Sequence, residues 1–113
     1  MMKGTKFDTA KPPIGLISRY ALEQEALVME HGAHLYGRHN WRQGLDVQRL
    51  LNAALRHILA ANEGEDYDPD SGLLHLAHAR CSIAFAMETI RNFPELDDRY
   101  IPPEAPQDAD FTI

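Results

Sequence analysis

Between His57 and His78 the chain gathers three imidazoles and five carboxylates: His57, then Glu63, Glu65, Asp66, Asp68 and Asp70, then His75 and His78. Carboxylates this close raise one another's pKa values, and a hard divalent cation removes that cost. Such an oxygen-rich set suits Mg²⁺ or Mn²⁺, and imidazole donors tilt it toward Mn²⁺ or a similar transition ion. The plainer alternative is an acidic turn that favours the positive end of the helix after it. An EF-hand is excluded, because Ser71 stands where its glycine belongs and Ala77 where its last carboxylate belongs.

Phosphate chemistry needs cations opposite such a cluster. Lys6 and Lys11 near the N-terminus and Arg56 beside His57 are the candidates. Tyr36 and Trp41 offer flat apolar faces for a purine and Asn40 an amide for its edge; equally, Trp41 could cap a core and Asn40 make a turn. No Walker-type glycine loop is present. Cys81 lies in an apolar stretch that disfavours a thiolate, so nucleophilic catalysis is a poor reading.

The elements that position these groups read as three helices and no strand, an all-α class. Leu22, Ala26, Met29, Ala33 and Tyr36 form one stripe, with Ser18 as N-cap and Gly37 as stop. A second helix begins near Asp46 and carries Val47, Leu50, Ala54, His57 and Ala61 on one face before ending at Gly64. The third runs from after Ser71–Gly72 to about Asn92 and is apolar on most sides, which predicts a central place. His75, His78 and Ser82 make a polar stripe on it, so three imidazoles can meet at one helix–helix seam. Residues 1–17 read as an arm holding every lysine, and residues 94–113 as an extended, partly disordered acidic tail.

With 113 residues the chain has room for one domain. A net charge of −6 and no basic helix face argue against nucleic acid as a partner, and no apolar run is long enough to span a membrane. One cysteine excludes a disulfide framework, and a cytoplasmic location is expected. A third helix apolar nearly all round leaves too little surface to cover it, so a homodimer or homotetramer is expected.

The stretches KFDTAKP, HGAHLYGRHNW and AALRHILAANEGEDYDPDSGLLHLAHA together resemble the small phage-type dATP/dGTP diphosphohydrolases, a MazZ-like branch of the MazG-related all-α NTP pyrophosphohydrolases. The resemblance covers roughly residues 6 to 90. It implies a helical oligomer that uses Mg²⁺ or Mn²⁺ to split a deoxypurine triphosphate into monophosphate and pyrophosphate, and in phages with 2-aminoadenine it implies a supply of dGMP. Position by position it marks Asp8, Lys11, Tyr36, Asn40, Trp41 and Arg56 for the substrate. It marks Glu65, Asp68, Asp70, His75 and His78 for the metal, with Glu65, His57 and Asp68 in catalysis. The wider superfamily carries helical carboxylate pairs; here Glu65 and Asp68 have that spacing in a loop, and the helical pair is His75 with His78. The rival expectation is a catalytically inactive oligomeric regulator that binds metal or nucleotide through the same residues.

Overall fold

A computed structural model describes residues 2–103. Helix α1 spans Arg19–Tyr36, α2 Val47–Asn62 and α3 His75–Asn92; a 3-10 turn at Asn40–Gln43 lies between α1 and α2, and others precede α1 and follow α3. The described residues contain no strand, only an isolated antiparallel bridge between Tyr67 and Leu74, so the all-α reading stands.

The helix ends follow local chemistry. Ser18 caps α1, its hydroxyl accepting from the Ala21 N–H at 3.2 Å. Gly37 ends it with φ 95°, a conformation other residues rarely adopt, and returns its N–H to the Ala33 carbonyl. Asp46 stands at the N-cap of α2 but makes no side-chain bond there. That bond comes from the tail, where Asp98 Oδ1 accepts the Gln48 N–H at 2.8 Å. Of the expected tail, Pro94–Leu96 are not extended, contrary to what the proline-rich composition suggested, while Asp97 is. A 3-10 turn at Pro94–Leu96 folds them against α3, and Phe93 and Leu96 close over Gly44. Residues 104–113, the rest of the expected tail, lie outside the described residues.

Helix α3 packs against both α1 and α2, which makes it central as its apolar pattern implied. On one side Val28 of α1 meets Ala77 and Cys81. On the other, Val47 and Leu50 of α2 meet Ala86. Phe85 packs against both groups. Small α3 residues at these positions let the helices approach closely, and among the described residues Val47 is the one large side chain buried completely. The acidic loop between α2 and α3 is folded rather than merely solvated: Asp68 and Leu73, Gly72 and Asp68, and His75 and Asp66 are joined by N–H···O=C bonds of 2.7–2.9 Å. Gly64 and Gly72, both with positive φ, make the two bends.

Candidate metal centre and cleft

Antiparallel packing brings the last turns of α2 to the first turns of α3, and the folded loop lies across that junction. His57, Asp68 and His75 converge there, each offering a ligand atom within 4.8 Å of the others. His57 Nδ1 lies 2.9 Å from His75 Nδ1 and 3.9 Å from Asp68 Oδ2. The other nitrogen of His75, Nε2, donates to Glu65 Oε1 at 2.7 Å. That bond places the His75 proton on Nε2 and leaves the Nδ1 lone pair facing His57, the arrangement by which carboxylates orient metal-bound histidines. His78 stacks on His57 with centroids 4.6 Å apart, and its Nε2 is 2.7 Å from Ser71 Oγ.

The electrostatics leave these groups ready for a cation. Burial lowers the pKa of His57 below 6.5, helped by the nearby charges of His75 and Arg56 and opposed by Asp68. Burial also lowers His78, with His57, His31 and His75 adding to it. For Asp68 burial acts upward, but the N–H groups of Asp70 and Ser71 on Oδ1 and the neighbouring His78 and His57 hold it below its ordinary range. For His57 and Asp68 these shifts favour the neutral imidazole and the ionised carboxylate, the forms that metal ligation requires. The spacing fits too, since one ligand atom from each of His57, Asp68 and His75 lies within 4.8 Å of the others, close enough to hold one ion.

Not every expected ligand joins. Asp70 gives only its backbone N–H, to Asp68, and its carboxylate is exposed outside the cluster. Glu63 and Asp66 are exposed as well. The cluster brought together is thus two imidazoles with one carboxylate rather than an oxygen-rich loop, because among the loop's carboxylates Asp68 alone is turned inward. Glu65 reaches it through His75 and His78 through His57. His31, off the apolar stripe of α1, was not singled out by its spacing, yet its charge bears on His78 across the α1–α3 packing.

A cleft of about 420 Å³ runs along the same α2–α3 seam. Its walls include Tyr36, Asn40, Trp41 and Arg56, all four of the substrate candidates from beyond the arm, and also Arg49, Ser82 and Phe85. Ala53 and Ser82 line it one turn from His57 and His78 respectively, so the cleft ends where the imidazoles begin. No motif marks Arg49; its one signal in the sequence is that it stands seven residues, two turns, before Arg56 on one helix face. Trp41 does not present a free face: its ring stacks on Phe85 at 4.8 Å and carries the Arg42 guanidinium 4.5 Å from its centroid. Tyr36 is the exposed aromatic at the mouth. Asp8 and Lys11 sit in an exposed turn of the arm, joined to each other by a backbone bond, and neither lines the cleft. Cys81 is buried, donates to the Glu25 carbonyl, and burial pushes its thiol up to about 12, in keeping with a structural role.

The family model for the N-terminal part of dATP/dGTP diphosphohydrolases matches residues 1–99. A dATP/dGTP diphosphohydrolase of Salmonella phage PMBT28 is 43% identical over 98 residues, 87% of this chain. The chain spans about a third of that relative's length (33%). No solved structure matches. No helix among the described residues is long and apolar enough to cross a membrane. By the family match over most of its length, the chain belongs to the N-terminal domains of the dATP/dGTP diphosphohydrolases.

Proposed function

We propose that this chain binds a deoxypurine nucleoside triphosphate, dGTP or dATP, in the α2–α3 cleft and hydrolyses it to the monophosphate and pyrophosphate. The observation that carries this reading is the continuity of the cleft with the His57–Asp68–His75 cluster, one helical turn away. The purine lies at the Tyr36 and Asn40 end, and the phosphates run toward Arg49, Arg56 and the imidazoles. The two-histidine, one-carboxylate donor set favours Mn²⁺ or a similar transition ion over Mg²⁺. When bound, that ion supplies charge neutralisation at the phosphate oxygens and acidifies water.

The chain's own residues do the remaining work. Arg56 and Arg49 neutralise charge that builds on the leaving phosphates. Glu65 holds His75 through Oε1, while Oε2, on a side chain 57% exposed, is placed to take the proton of the attacking water. The water oxygen bonds to the α-phosphorus, the α–β bridge bond breaks, and pyrophosphate leaves with the bonding pair. In a phage that uses 2-aminoadenine, the dGMP formed would supply that replacement.

Incubating the 113-residue chain with dGTP or dATP and Mn²⁺ tests this, with products separated by chromatography. Deoxynucleoside monophosphate and pyrophosphate are expected in equal amounts. Nucleotide and metal binding without turnover would support the inactive regulator instead, and orthophosphate as first product would overturn the mechanism.

A further inference from the structure

Trp41 borders a second cleft, of about 680 Å³, between the later turns of α1 and the loop that follows. Of the two clefts, which share Met29 and Trp41, Phe85 lines the first and Arg42 the second, and both pack on the Trp41 ring; Arg42 also borders a small pocket beside Glu88. The indole is therefore the wall between them. In a chain of net charge −6, this second cleft is lined by Arg38, Arg42, His34 and His39 against a single carboxylate, Glu30.

The arginines are partly organised in advance. Arg42 lies over Trp41, and its Nε donates to His39 Nδ1 at 3.1 Å, which leaves both terminal nitrogens of its fork unbonded among the described residues. Accepting at Nδ1, a neutral His39 carries its proton on Nε2 as a further donor. Arg38 makes no ion pair or side-chain hydrogen bond among the described residues. Two guanidinium forks with imidazole donors match the oxygens of a phosphate better than a lone carboxylate. The Arg42-covered indole offers no stacking face here, so the recognised group is the phosphate itself.

We propose that this cleft is a second ligand site, separate from the nucleotide cleft, that binds a phosphoanion between Arg38 and Arg42. A nucleotide held as proposed above sends its phosphates the other way, toward Arg56 and His57, so the second site takes a different molecule. Binding there needs no turnover and is measured without it.

The test is calorimetric titration of the metal-free protein, in chelator, with inorganic pyrophosphate and separately with dGMP. A background with both Arg49→Gln and Arg56→Gln removes the arginine grip on phosphate in the first cleft. Saturable one-site binding is expected in that background, weakened about tenfold or more by adding Arg38→Gln or Arg42→Gln. Both arginines are exposed, so the variants should keep the parent's melting curve. Tighter binding of pyrophosphate marks an inorganic ligand and tighter binding of dGMP a nucleotide's phosphate; either supports the site. Loss of binding with Arg49→Gln and Arg56→Gln alone, no binding of either probe, or indifference to both added changes would overturn it.

Discussion

At the scale of single residues, the centre divides the carboxylates that spacing alone made equivalent. Asp68 is inward, 15% exposed, and faces two imidazoles; Asp70 is outside. Asp68→Asn should abolish turnover by orders of magnitude, and Asp70→Asn should leave it near that of the parent; equal losses would return the ligand set to the open loop. Glu65→Gln keeps a polar group near His75 but removes its charge, and should weaken metal affinity about 10- to 100-fold together with turnover. The sequence showed which residue types were available and that His75 and His78 share a face. It could not show which carboxylate turns inward, because that depends on backbone bonds across the loop. Protonation gives a separate check. His57 and His78 have folded pKa values below 6.5, and Asp68 lies below 3.8, so the unfolded chain binds more protons than the folded one on acidification. Stability of the metal-free protein should thus be full above pH 6.5, fall as pH drops through the folded histidine values, and fall again below 3.8. Thermal melts in chelator across that range measure it, and a melting temperature that rises on acidification below 6.5 would contradict the assignment.

At the scale of elements, the three helices and their order were legible because apolar stripes, Ser18 and the glycines punctuate them clearly. Asp46 and the tail were not. The N–H of Gln48 takes its acceptor from fifty residues away, a partner no local pattern announces. Asp98→Ala should cost about 1 kcal/mol of stability, read by chemical denaturation, with Asp46→Ala costing less. Gly44 is a stricter case. Its φ is 93°, and an added Cβ would stand 2.7 Å from Leu96 Cδ1, so Gly44→Ala combines backbone strain of about 1–3 kcal/mol with a clash against the folded tail. A Gly44→Ala protein as stable as the parent would mean that the turn does not close over residue 44.

At the scale of the whole molecule, large apolar side chains remain uncovered on the helices that carry the site. Leu76 and Met87 of α3 are 56% and 68% exposed, and Leu55 and Leu59 of α2 54% and 57%. A nearly wholly apolar groove of about 380 Å³ lies between α1 and α3, edged by Tyr20, Ile58, Leu76 and Ile83. A homodimer or homotetramer that covers these faces is the expected state, and light scattering that gives a monomer at micromolar concentration would contradict it. That expectation rests on the third helix's composition, whereas no composition pointed to the cleft, since Tyr36, Arg49 and Ser82 come from three helices and meet only when packed. Function at this scale rests on one junction, the cleft meeting the imidazole–carboxylate cluster. Its most direct test is turnover of dGTP and dATP by the 113-residue chain with Mn²⁺, run in parallel on Asp68→Asn. Monophosphate and pyrophosphate from the parent chain, lost in the variant while the variant stays folded, are the predicted result. Undiminished turnover by folded Asp68→Asn would place the chemistry elsewhere.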